Sequence, residues 1–240
     1  MTDMHSSNAN AAPDEHAKKT VLSIDVGGSH VKILTNRPGE EPLRVESGPA
    51  MTPDDMVDAV KTLAKDIDYD VISIGFPGPV RANRILREPV HLGKGWTDYD
   101  FASSFGKPIT LVNDALMQAV GSYEGGRMLF LGLGTGLGAA LILENVAQPL
   151  EIAHLPYRHK KTIEDYVGED GMERRGKKKW RKSVADVADR LMAAMLPDYI
   201  VIGGGNVEKL HDLPDNCRRG DNALAFEGGF RLWQGKFIIN

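Results

Sequence analysis

The chain has 240 residues, 42% hydrophobic and 26% charged, the composition of a soluble globular protein and not of a disordered or fibrous one. Its single cysteine, Cys217, excludes an internal disulfide and any zinc site that needs two or more thiolates. Twenty-nine Lys and Arg against 33 Asp and Glu give a net charge of −4, so no global pull toward nucleic acid is expected, and no run of about 18 apolar residues offers a membrane span.

Residues 1–19 are polar, lack the basic-then-apolar pattern of a secretion signal and read as a disordered tail, so a cytoplasmic protein is expected. The β-branched run 20–26 reads as a buried strand. Gly27-Gly28 breaks it, 30–34 resumes as a second strand, and 43–46 is a short third. Thr52, Pro53, Asp54 and Asp55 open a helix that carries Met56, Val60, Leu63 and Ile67 on one face. A strand over 70–76 ends at Pro77-Gly78-Pro79, a helix covers 99–105, and a strand over 108–112 meets Asn113-Asp114 at the head of a helix over 115–123. The pattern then starts over, with a strand at 127–133, a turn at Gly134-Thr135-Gly136 and a strand at 138–143. Ser183 with Asp186 predicts a capped helix over 183–196, whose Val184, Val187, Ala188, Leu191, Met192 and Met195 share a face. A strand over 198–202 ends in Gly203-Gly204-Gly205, and a last helix spans 222–233.

A strand–turn–strand with Gly27, Gly28 and Ser29 exposes backbone N–H groups with no side chain over them, and such a turn cradles phosphate oxygens. Asp25 can stand near a magnesium ion there, and Lys32 can add a point charge. An ordinary tight hairpin accounts for the same residues equally well. Gly134, Gly136 and Ala139 also fit a loose dinucleotide fingerprint, but that motif needs a helix directly afterwards, and 139–143 continues as a strand-like run. Asn113-Asp114 sits where a strand ends and a helix starts. A carboxylate there can take a proton from a substrate hydroxyl, and either residue can equally be a helix cap. The run 174–182 holds Arg174, Arg175, Lys177, Lys178, Lys179, Arg181 and Lys182, which is either a cationic track for a polyanion or a solvated loop and helix start.

In order and content these pieces resemble the ROK family (repressors, open reading frames and sugar kinases), and within it the bacterial polyphosphate glucokinases. The likeness spans about 20–233. Asp25-Val-Gly-Gly-Ser-His-Val-Lys32 is similar to the family's first phosphate motif, 132–138 to the second, and 202–205 to the nucleotide-side glycine motif. The family's Asn-Asp pair falls on Asn113-Asp114, and its Glu-x-Gly-His sugar motif on Glu151-Ile-Ala-His154, with Ala153 in place of glycine. The resemblance implies a two-lobed actin/hexokinase-like, ribonuclease H-like α/β fold. Residues 20–114 would form the lobe with the first phosphate loop and Asp114, and 115–240 the lobe with the second phosphate loop and the sugar loop. It further implies that Asp114 is the catalytic base and that Asn113, Asp114, Glu151 and His154 bind sugar, with Glu164 as a second sugar glutamate. Gly27, Gly28, Ser29, Lys32, Gly134, Thr135 and Gly136 would hold donor phosphates, Gly203, Gly204 and Gly205 would face a nucleotide, and Asp25 would meet Mg2+ through water. No cysteine lies between His154 and Cys217, so the three-cysteine zinc loop of most ROK proteins cannot form, which fits the polyphosphate branch. The tail is also too short for a repressor's winged helix. The implied reaction moves a phosphoryl group from polyphosphate or ATP to the 6-hydroxyl of glucose in a homodimer with neither a nucleic-acid nor a membrane partner. A kinase of another hexose and a non-catalytic sugar sensor remain alternatives.

Overall fold

A computed structural model describes residues 19–240. Of the expected tail, residues 1–18 lie outside the described residues. Lys19 belongs to the fold, because its carbonyl accepts a hydrogen bond from Asn36 and its ammonium lies 5.5 Å from the Trp233 ring centre.

The chain builds two sheets with the same opening. The first begins with an antiparallel meander, β1 (Val21–Val26), β2 (His30–Thr35) and β3 (Leu43–Glu46). Helix α1 (Pro53–Leu63) follows, capped by a reciprocal Thr52–Asp55 box and begun by Pro53. It ends before Ile67, which packs on the core from the loop beyond. Strand β4 (Val71–Phe76) then adds parallel to β1. A small hairpin, β5 (Val80–Arg81) and β6 (Arg84–Ile85), and helix α2 (Phe101–Phe105) lead to β7 (Ile109–Asn113), parallel to β4, and to helix α3 (Asp114–Ser122). The order is β3-β2-β1-β4-β7.

The second sheet repeats the scheme with β8 (Arg127–Leu133), β9 (Leu137–Leu143) and β10 (Val146–Leu150) as the meander. Three helices follow: α4 (Glu164–Val167), α5 (Glu169–Arg175) and α6 (Lys177–Met195). Strand β11 (Tyr199–Gly203) is parallel to β8, β12 (Cys217–Arg219) lies beyond it, α7 (Leu224–Arg231) returns, and β13 (Ile238–Ile239) closes the far edge. The order is β12-β11-β8-β9-β10-β13.

Two helices and five short strands correct the sequence reading. Helix α6 begins at Lys177 and not at Ser183, so Ser183 is an interior residue, bonded by Arg175 and to the carbonyl of Lys179. The cause is Trp180, fully buried with its indole N–H on Val167 O at 2.7 Å, which extends the apolar face one turn back. The last helix covers only Leu224–Arg231 of the expected 222–233. The short strands β5, β6, β10, β12 and β13 carried no apolar alternation to announce them.

Both sheets are covered on both faces. Helix α1 packs on one side of the first sheet and α6 on the outer side of the second, while α3 and α7 lie between the sheets and cross each other. The crossing rests on glycine. A Cβ on Gly228 would overlap Met117 O, and one on Gly121 would overlap Leu224 O, so neither position admits a side chain at this separation. Below the crossing Ser73 donates to Gly229 O at 2.6 Å and accepts from the Trp233 indole at 3.0 Å, which satisfies a buried hydroxyl. This contact ties the chain's last helix to its first sheet.

Candidate active site

Each meander presents its first turn at the same place, where the sheet's parallel strands also end. In the first turn Gly27 N–H donates to His30 O at 2.9 Å. Ser47, just after β3, braces the far side, with its hydroxyl on Gly27 O at 2.6 Å and its N–H on Ser29 O at 2.9 Å. The N–H groups of Gly28 and Ser29 have no acceptor among the described residues. Lys32 stands opposite Asp25 in the β1–β2 register, with its ammonium 3.8 Å from the Asp25 carboxylate.

The second turn is built alike. Gly134 N–H donates to Gly136 O, and the N–H groups of Thr135 and Gly136 are left without an acceptor among the described residues. Asn206, buried just past β11, donates to Gly134 O at 2.9 Å and is itself fixed by Lys209 at 2.6 Å. The glycine run at 203–205 makes this contact possible: Gly204 has φ +82° and lies on the Leu133 backbone, where a Cβ would clash. Gly203 packs on Phe130, and Gly205 faces open space.

Between the turns lies a carboxylate cluster. Asn113 is the N-cap of α3, accepting from Leu116 N–H at 3.2 Å and donating to Gly78 O at 3.1 Å. Its side chain therefore both caps the helix and holds the loop after β4. Asp114 follows, with Ala115 N–H on one oxygen at 2.7 Å. Burial, then the neighbouring Asp25 charge and more weakly Glu151, push its proton affinity up to about 7, against backbone N–H bonds that lower it. Burial likewise raises Asp25, and Lys32 opposes that shift. Gly75 in β4, paired with Asp25 on one side, lies under the start of α3: a Cβ there would meet the flexible end of Met117 at 2.5 Å and Asp114 Cα at an ordinary contact distance of 3.5 Å.

Glu151 and His154 flank a 3-10 turn, well exposed and 3.7 Å apart. Ala153 is buried inside that turn, so its methyl group is accommodated where the family motif has glycine. Glu164 is brought to the second turn, where it accepts Leu137 N–H at 3.0 Å and occupies the space a Cβ on Gly136 would need.

The basic run divides by chemistry. Its arginines hold the fold: Arg174 bonds Asp165 O, Arg175 stacks 4.2 Å from the Tyr166 ring centre and bonds Ser183, and Arg181 bonds Lys209 O and His211. Lys177, Lys178, Lys179 and Lys182 are exposed. The first three stand at the positive end of α6, where cations are unfavourable for the helix itself. Helix α5 starts at the second turn, with Glu169 N–H on Thr135 O, so its seven residues set the lysines about 10 Å from that turn. The expected loop is thus two helices joined at Gly176.

Gly75, Ser47, Asn206 and His91 belong to this region and were not singled out from the sequence. Glycine in a strand is the one signal that pointed to such an approach. No group of three or more His, Cys, Asp or Glu that could hold a metal occurs among the described residues. Nor is any helix there long and apolar enough to cross a membrane.

A sequence model of the ROK family matches residues 21–149. No curated protein matches the chain. Among solved structures, an inorganic polyphosphate/ATP-glucomannokinase from Arthrobacter sp. strain KM superposes with a TM-score of 0.76 at 19% identity, covering 89% of this chain and 98% of that one. A ROK family glucokinase from Streptomyces griseus, in complex with glucose and AMPPNP, gives 0.66 at 17%, covering 89% and 98%. A ROK family transcriptional regulator, a homologue of the E. coli MLC protein, gives 0.65 at 13%, covering 90% of this chain and 78% of that one. These likenesses show the fold, the two-lobed actin/hexokinase-like α/β architecture.

Proposed function

The chain belongs to the ROK family, and from that premise we propose that it is a glucokinase that moves a phosphoryl group from polyphosphate, or from ATP, to the 6-hydroxyl of glucose. The observation that carries this reading is Asp114, a carboxylate with proton affinity raised to about 7, in a site where two glycine turns each leave two N–H groups without an acceptor among the described residues. A base of that affinity is half-ionised near neutrality and can both take and release a proton. Asp114 accepts the proton of the sugar hydroxyl, and the oxygen attacks the donor's terminal phosphorus in line as the bond to the leaving phosphate breaks. Asn113, Glu151, His154 and Glu164 orient the sugar. Gly27, Gly28, Ser29, Lys32, Gly134, Thr135 and Gly136 hold the donor, and Gly203, Gly204 and Gly205 face its nucleotide side when it is ATP. Phosphoryl transfer asks mainly for such positioning and charge stabilisation.

Asp25, a part-buried carboxylate beside the first turn, fits a magnesium ion held through water, since magnesium in such sites keeps waters and takes one or two carboxylates besides phosphates. When bound, that ion supplies charge neutralisation on the donor. The lysines at the head of α6 form the start of a track for a chain of phosphates. We place the enzyme in the cytoplasm as a homodimer.

The kinase reading is preferred over a sugar sensor because a sensor needs neither a base nor paired phosphate turns. Asp114→Asn tests it: turnover is lost while calorimetry still finds glucose binding. A variant that keeps most of its rate removes Asp114 as the base.

A further inference from the structure

We propose that His91 is a phosphate ligand of the first turn, donating a hydrogen bond from its imidazole to the phosphoryl group that Gly28 and Ser29 hold. The inference rests on the reading of that turn as the donor site. The loop after the small β5–β6 hairpin brings His91 against Gly28, so closely that a Cβ on Gly28 would lie 2.9 Å from His91 Cβ and 3.7 Å from Cγ. The glycine thus serves two ends at once, leaving its N–H open and admitting the histidine to the turn.

The approach is not a chance of a loose surface loop. Glu88 clamps the loop, accepting from the N–H groups of Gly95, Trp96 and Thr97 and from the Thr97 hydroxyl. Leu92 and Trp96, on either side of Gly93, are buried, and Gly93 N–H bonds Met51 O at 2.9 Å where a Cβ would clash. Between these anchors Val90 is 86% exposed and His91 is exposed, with neither ring nitrogen bonded among the described residues. An exposed imidazole, with no partner among the described residues, is thus held against a turn whose Gly28 and Ser29 N–H groups likewise have no acceptor among them. The side chain suits a phosphoryl oxygen because the Gly28 and Ser29 N–H groups of the turn it packs on are donors without an acceptor among the described residues.

The test compares wild type with His91→Ala and His91→Asn, using tripolyphosphate and glucose as separate calorimetric ligands and measuring turnover with each donor. Loss of one charge-assisted bond predicts tripolyphosphate binding weaker by about 10- to 100-fold in His91→Ala, with a matching rise in donor KM and no change in glucose affinity. His91→Asn, which keeps a donor at nearly the same reach, recovers part of that loss. An unchanged melting temperature separates the effect from unfolding. Wild-type turnover combined with unaltered tripolyphosphate binding in a folded His91→Ala overturns this inference alone. Wild type that neither binds tripolyphosphate nor phosphorylates any hexose overturns it together with the donor-site reading.

Discussion

Replacing Asp114 by asparagine should stabilise the protein while abolishing its chemistry, and the size of the gain follows from the site. The carboxyl's proton affinity is raised from 3.8 to about 7, first by burial and then by Asp25. In the native state it holds a proton that the unfolded chain has already released between about pH 4 and 7, so stability falls as pH rises through that window. The three-unit difference corresponds to about 4 kcal/mol at full effect, and solvent entering the cleft reduces it to about 2–4 kcal/mol. The asparagine side chain keeps the oxygen that accepts Ala115 N–H and never ionises, so the variant escapes the loss. Thermal unfolding followed by circular dichroism should place the Asp114→Asn variant about 4–16 °C above wild type at pH 8. The two should converge near pH 4. Equal melting temperatures at pH 8 would refute the claim that this carboxylate is held under electrostatic strain.

The same cluster sets the pH dependence of turnover. Because Asp114 must be ionised to act, kcat/KM should rise through an inflection near 7, and Asp25→Asn, by removing a like charge, should move that inflection to lower pH. An unmoved or raised inflection contradicts the coupling. Gly136→Ala would displace Glu164 from Leu137 N–H and should raise KM for both donors at least tenfold, as steady-state kinetics would show. Replacing Lys177, Lys178 and Lys179 together by alanine should weaken polyphosphate use most at low salt, leave ATP use nearly unchanged and not lower the melting temperature, since these cations oppose the dipole of α6. Gly228→Ala puts a methyl group onto Met117 O at the α3–α7 crossing and should lower stability by more than about 2 kcal/mol in urea unfolding.

The strands that frame the candidate site were legible because buried parallel strands read as unbroken apolar runs, and both glycine turns were legible because glycine marks a reversal. Asn113 was legible as a helix cap, whereas its second bond, to the Gly78 carbonyl, was not. What the local pattern could not give was partnership across the chain. Gly75 comes into contact with Met117 and Asp114 from about 40 residues away, and Asn206 reaches back to Gly134. The start of α6 was misread for a similar reason: three lysines look like a solvated loop, and only the burial of Trp180 against Val167 shows that the helix already runs there. Conversely, the arginines of the basic run looked like one cationic unit with the lysines, whereas their hydrogen bonds assign them to the fold.

The net charge of −4 gave no hint of the lysines at the head of α6, and the lone cysteine pointed to one branch of the family only after the family itself was in view. The most direct measurement is a matrix of donors against sugars, polyphosphate and ATP each offered with glucose, mannose, fructose and N-acetylhexosamines, with product read by coupled assay and phosphorus NMR. Glucose 6-phosphate formed with polyphosphate is the predicted result. No phosphorylated hexose with either donor would contradict the account.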